Sequence, residues 1–302
     1  MRFFCYFYIF NFVHFNLPNM LSFTISERTI NIEEVIKDKA PELYRKLPGF
    51  VFPLMRKLLH EKEVNSFLYK ERDKTGIDFA TAILEDFGCQ VSMKGAENVP
   101  ENGRLIFCAN HPLGGLDGMA FISQVGKLRK DIMFPVNDML LALPPLQPVF
   151  LPISKLSKNT SNRRGLEEAF LGNSTLLYFP AGLCSRKQKR GVIADPEWKK
   201  TFVTQARNSE RDIIPVFISG KNSNTFYNVA RFRTRIGLKV NIEQALLVNE
   251  MFKLRNQKIC LILGKPIRYQ ALDKSHTDKE WAALIREHVY SLDKNPAAEF
   301  NY

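Results

Sequence analysis

RLIFCANHPLGGLDG, residues 104–118, is an apolar run that ends in Asn110 and His111, turns at Gly114 and Gly115, and leads through Asp117 into the helical pattern LDGMAFISQVGKLR. Strand, glycine turn and helix in that order are the repeating unit of an α/β layer fold. The same texture extends outward on both sides. CQVSMKG, DIMFPVN, PVFLPIS, STLLYFP, DIIPVFIS and KICLILGKPI are short β-type runs, with helical stretches such as NRRGLEEAFL between several of them. Residues 89–302 are therefore expected to form one α/β domain, a mixed, partly parallel sheet flanked by helices. Its last segment, TDKEWAALIREHVYSLD, puts Trp281, Leu284, Ile285, Val289 and Leu292 on one helical face behind a Thr277 or Asp278 cap.

Residues 20–88 read differently. NIEEVIKDKAPELYRKL, EKEVNSFLYKERDK and GIDFATAILEDFG carry apolar residues at spacings of three to four, punctuated by Pro41, Pro48 and Pro53. This predicts an N-terminal helical region. Within it LPGFVFPLMRKLLH, residues 47–60, mixes apolar side chains with Arg56, Lys57 and His60, a composition suited either to a membrane interface or to packing on a core. Residues 1–19 are dense in phenylalanine and tyrosine, but Asn11, His14, Asn16 and Pro18 interrupt the apolar run and no small-residue cleavage site follows. Two readings stay open for them, a membrane-associating extension or an over-extended reading frame whose start is Met20. No later stretch is long and apolar enough to span a bilayer.

The chain has 302 residues, 45% of them hydrophobic and 25% charged, enough for a large core and unlike a disordered chain. Its five cysteines, Cys5, Cys89, Cys108, Cys184 and Cys260, form no C-x-x-C pair, and with five histidines no zinc-type ligand spacing arises. Neither a disulfide scaffold nor a metal site is expected. Lysine and arginine number 43 against 31 acidic residues, a formal charge of +12, which calls for an anionic partner without naming it.

His111 is the residue best placed for chemistry, since ligands of α/β sheets bind at the carboxyl ends of strands. A neutral imidazole there can take a proton from a hydroxyl as it attacks a carbonyl, and a carboxylate beside it fixes the tautomer and stabilises the imidazolium. Asp117 fills that role if the two glycines let the backbone double back. The bland alternatives are a capping or core histidine and an aspartate that merely caps the next helix.

The string resembles the first motif of the glycerophosphate and lysophospholipid acyltransferase superfamily (PlsC-like): Asn-His, four residues, then Asp. Asn110, His111 and Asp117 match it with five intervening residues. VFLPISK, residues 149–155, resembles the second motif, with Lys155 where arginine is usual. FPAGLCSR, residues 179–186, resembles the third, and IIPVFISG, residues 213–220, the fourth. The resemblance implies an O-acyltransferase that needs no cofactor and moves a fatty acyl group from an acyl carrier protein or coenzyme A thioester to a hydroxyl of a lysolipid-type acceptor, with His111 and Asp117 catalytic and no acyl-enzyme. It assigns substrate binding to Asn110, Gly114, Gly115, Lys155, Phe179, Pro180, Gly182, Ser185 and Arg186. It departs from the family at Ala181, where glutamate is usual, and at Leu183, where threonine is usual. HPLGGLDG and FPAGLCSR look closer to the bacterial hemolysin-like branch, which includes enzymes finishing ornithine or glycine lipids.

Arg186, Lys187, Lys189 and Arg190, with Lys155, Lys158, Arg163 and Arg164 earlier, suit the phosphates of coenzyme A, an acidic carrier protein or anionic lipid head groups, or else form a merely solvated loop. The cluster lacks interleaved aromatic residues and any nucleic-acid motif, so no nucleic-acid partner is expected. The resemblance implies a protein at the cytoplasmic face of a bacterial inner membrane, in peripheral contact with anionic lipid. The competing expectation is a non-catalytic lipid-binding protein on the same fold, favoured by Ala181 and the altered His–Asp spacing.

Overall fold

The computed structural model describes residues 30–39, 41–136, 143–152, 167–237, 243 and 246–302; residues 1–19, Lys155, Lys158, Arg163 and Arg164 lie outside them. The chain forms two compact units that interleave in sequence, one from residues up to 74 together with 222–253, the other from 75–221 together with 254–302.

In the first unit the described residues fold as helices Ile32–Lys39, Pro41–Lys46, Val51–Leu58, Glu61–Lys70, Asn224–Arg235 and Leu247–Lys253. Pro41 stands at a first helical position and Pro53 within a first turn, where a missing N–H costs nothing. Ile32, Ile36, Leu47, Val51, Phe52 and Met55 bury against one another as a small core of this unit.

The second unit holds the sheet. Each of the seven apolar runs is a strand: β1 Gln90–Lys94, β2 Leu105–Ala109, β3 Ile132–Val136, β4 Phe150–Pro152, β5 Thr175–Tyr178, β8 Asp212–Ile218 and β9 Lys258–Leu263, with β6 Arg186–Lys187 and β7 Ile193–Ala194 forming a separate small antiparallel pair. The strand order is β1-β9-β8-β2-β5-β3-β4. Every pairing is parallel except β8 with β9. The sheet is thus mixed and mostly parallel, and helices cover it. β2 lies near its centre and is buried at all of its residues, as a strand covered on both faces must be.

The helix Gly76–Asp86 continues the N-terminal helical stretch in sequence, yet belongs to this second unit. It packs on Leu116–Leu128, whose residues Leu116 through Gly126 are all buried. Gly126 permits the close approach, because a Cβ there would meet the Ile77 side chain at 2.8 Å. On the larger hydrophobic cluster, the helix Asp278–Ser291 places Trp281, Ile285 and Val289 beside Trp198, Phe202 and the β2 residues Ile106 and Cys108. Thr277 caps that helix in a full capping box with Glu280. Arg211, wholly buried ahead of β8, donates to the carbonyls of Leu105, Ala169, Phe170, Gly172 and Ser174. This ties the segment entering β5 to the sheet.

Candidate active site

β2 ends at Ala109, and the chain that leaves it carries the site. Asn110 continues the sheet by side chain: its amide donates to the Ile218 carbonyl at 2.9 Å and its carbonyl accepts the Ile218 N–H at 2.6 Å. Both polar atoms are thereby occupied within the fold, holding the end of β2 to β8. His111 follows. The turn then passes through Gly114 at φ +79°, a left-handed conformation that favours glycine, whereas Gly115 at φ −163° is extended and makes no such demand.

The turn brings Asp117 back under the imidazole. His111 Nδ1 and Asp117 Oδ2 are 2.8 Å apart. The same carboxylate accepts the N–H groups of Leu113 at 2.8 Å, Gly114 at 3.2 Å and Gly118 at 2.9 Å. Asp117 is completely buried, while the His111 side chain keeps 18% exposure. Burial alone would raise the carboxyl's pKa, but the charge and hydrogen bond of His111 and the loop amides outweigh it and hold Asp117 below the ordinary carboxylate value. An ionised carboxylate only accepts, so Nδ1 carries the hydrogen and the lone pair of the neutral ring lies on Nε2.

Phe179, at the end of β5, stacks on the imidazole with centroids 4.0 Å apart and planes 18° from parallel. Phe121 and Phe134 pack against Phe179 in turn, at 5.6 and 5.3 Å. One face of the imidazole is therefore covered by an aromatic wall, which restricts its rotation. Pro180 is buried and its carbonyl accepts the Lys199 N–H at 3.1 Å; Gly182, exposed at φ +64°, donates to the Phe179 carbonyl at 3.0 Å and closes the turn.

Ser185 reaches His111 through the main chain, its N–H donating to the His111 carbonyl at 2.7 Å. Its hydroxyl donates to Asp195 Oδ1 at 2.6 Å, so the serine is committed to a protein partner. Arg186 turns back onto its own segment, Nη1 lying 2.7 Å from the Cys184 carbonyl and 2.9 Å from its sulfur. Cys184 is buried at 3% exposure, and the buried Cys108 thiol is pushed well up by desolvation, so neither has the exposed setting of a reactive thiol. Among the described residues no group of three or more His, Cys, Asp or Glu could hold a metal. No described helix is long and apolar enough to cross a membrane.

The structure thus gathers His111, Asp117, Asn110, Gly114, Gly115, Phe179, Pro180, Gly182, Ser185 and Arg186 around the carboxyl ends of β2 and β5, while Lys155 falls outside the described residues. Two participants escape the sequence reading, Asp195 and Trp198. Aspartate before proline in ADPEW reads as a turn, and only the fold brings it under His111.

The sequence profile of the family described as Acyltransferase matches residues 34–298. The chain belongs to the acyltransferase family and is an O-acyltransferase. The acyltransferase is 40% identical over 265 residues to the lyso-glycine lipid O-acyltransferase of Bacteroides thetaiotaomicron, covering 87% of this chain and 97% of that protein. With the enzyme of the same description from Phocaeicola vulgatus it shares 41% identity over 265 residues, 87% of this chain and 95% of the other. Among solved structures, the 1-acyl-sn-glycerophosphate acyltransferase PlsC of Thermotoga maritima aligns with 82% of this acyltransferase and 97% of its own chain, at 14% identity and a TM-score of 0.44.

Proposed function

We propose that this acyltransferase esterifies a hydroxyl of a lysolipid-type acceptor, an acylated amino-acid lipid of the lyso-glycine kind, with a fatty acyl group from a coenzyme A or carrier-protein thioester. The observation that carries the reading is the 2.8 Å contact between His111 Nδ1 and the buried Asp117 carboxylate at the end of β2. The acceptor class rests on the two relatives that share about two fifths of their residues with the chain over nearly their whole length.

The chemistry is direct transfer. Nε2 of His111 takes the acceptor hydroxyl's proton as the oxygen bonds to the thioester carbonyl carbon. Asp117, already charged and held by three backbone amides, stabilises the imidazolium without itself being protonated. Collapse of the tetrahedral intermediate breaks the C–S bond, and the imidazolium returns its proton to the leaving thiolate. General-base help of this kind is worth about 10²–10⁴-fold, and orientation of the two substrates adds more.

Exposed Phe50, the N-cap of the helix Val51–Leu58, and Leu54 within that helix, together with its Arg56 and Lys57, support peripheral contact with an anionic membrane surface, where such an acceptor resides. The test follows free thiol release from acyl-CoA and from acyl carrier protein with a lyso-glycine lipid in mixed micelles. His111→Ala is expected to abolish acceptor-dependent thiol release while its melting temperature stays with the parent's. Undiminished transfer by a folded His111→Ala protein would overturn the mechanism, and lipid binding without turnover by the parent would overturn the acceptor assignment.

A further inference from the structure

Asp195 is a second carboxylate at His111, attached to its main chain rather than to its ring. Both Asp195 oxygens accept the His111 N–H, at 3.1 and 3.2 Å. Oδ1 also takes the Ser185 hydroxyl at 2.6 Å and Oδ2 the Trp198 indole N–H at 3.0 Å. With Ser185 N–H on the His111 carbonyl at 2.7 Å, the residue bearing the base is gripped at both of its polar backbone atoms by one Ser185–Asp195 pair. β2 has ended two residues earlier, so the sheet ladder does not perform this task.

The charge state follows from the partners. Each of them supplies a hydrogen, which suits an ionised carboxylate. Burial pushes the Asp195 carboxyl up, and the bonds from Ser185, Trp198 and the His111 amide pull against it. Its own main chain is anchored on the C-terminal helix, where the Tyr290 hydroxyl accepts the Asp195 N–H at 2.8 Å and Arg286 Nη2 donates to the Asp195 carbonyl at 2.8 Å.

We infer that Asp195 is a positioning residue for acyl transfer: through the His111 main chain it sets where Nε2 meets the acceptor hydroxyl, and its negative charge favours the imidazolium formed during attack. The inference rests on the general-base reading of His111. A base misplaced by about 1 Å can cost on the order of 10²-fold in rate, which makes a clamp on the peptide a kinetic device as well as a structural one. The charged and titratable groups that face His111 in this arrangement are Asp117 on the ring, Asp195 beneath the peptide, Arg186 on the Cys184–Ser185 segment, and Arg286 and Tyr290 behind Asp195.

The experiment measures kcat, both KM values and the pH profile of kcat/KM for the full chain, its Asp195→Asn and Ser185→Ala variants, and His111→Ala. Asp195→Asn is expected to lower kcat by about 10–100-fold with both KM values within about twofold of the parent. Removing a negative charge makes the imidazolium less favourable, so the acid limb of the profile moves to lower pH. Ser185→Ala, which deletes one donor and leaves the packing, shows a smaller loss of kcat at unchanged KM. A folded Asp195→Asn protein with the parent's kcat and acid limb overturns the inference while an inactive His111→Ala leaves the base assignment standing. Should Asp195→Asn fail to fold, Ser185→Ala decides: parental kcat there overturns the inference, and a selective kcat loss supports it. An active His111→Ala removes the base itself and with it the ground for the inference.

Discussion

At the scale of single residues, the site works by spending burial on charge. Asp117 sits in the least hydrated place available, a fully buried turn, and remains ionised because an imidazole and three amides point at it. Its folded pKa lies below the unfolded value, so the stability it contributes is present above the ordinary carboxylate range and is lost as pH falls through the lowered folded value. Asp195 has the opposite sign: its folded pKa is raised, and protonation on acidification relieves a cost instead of imposing one. Asp117→Asn is therefore expected to flatten the acid arm of the unfolding free energy, measured by urea titration between about pH 5 and pH 2. In the same protein kcat/KM drops by about 10²–10⁴-fold, because an amide can present its NH₂ to Nδ1 and select the wrong tautomer. A variant that kept the parent's activity would show that the carboxylate only caps the helix. Ala181 has a structural account too, since it lies at 5% exposure in the hydrophobic cluster with Trp198 and Phe202, where a glutamate would be buried among apolar side chains.

At the scale of elements, what positions His111 is one strand, one turn and the helix behind them. The helix Leu116–Leu128 is buried along nearly its whole length because Gly76–Asp86 covers one side of it, and Gly126 sets the separation of the pair. Gly126→Leu is expected to cost roughly 1–3 kcal/mol by overpacking, read as a lower urea midpoint, and to disturb activity because Asp117 lies in this helix's first turn. An unchanged midpoint would mean that the two helices separate freely. The strands were readable as apolar runs, and all seven pair in the sheet. Their neighbours were not readable. Pro215 lies in β8 between two strand neighbours, which its missing N–H would argue against; the local pairing accommodates it, with Gly264 N–H donating to the Pro215 carbonyl at 2.8 Å where the β9 register breaks before Ile267.

At the scale of the whole molecule, the residues of the site come from segments far apart in sequence, 110–117, 179–186 and 195–198, with the helix Asp278–Ser291 behind them. The parallel topology makes this possible, because β2 and β5 run side by side and present their carboxyl ends together. The cellular consequence is measurable by mass spectrometry of lipid extracts. Cells lacking the gene are expected to lose a diacyl amino-acid lipid and accumulate its mono-acylated precursor, and identical lipid profiles with and without the gene would refute the proposed acceptor.

Periodicity and local spacing pointed to the strands, the helices and the glycine turn, and offered the pairing of His111 with Asp117 beside a capping alternative, because each depends on residues close in the chain; the 2.8 Å contact of the folded turn chose between the two. The partners of Asp195, the aromatic wall of Phe179 on the imidazole, and the buried settings of Ser185 and Ala181 were decided only by the tertiary structure. Those contacts cross from one strand end to another, and their free energy depends on which side chains the sheet order brings together, a quantity that no local pattern in the sequence encodes.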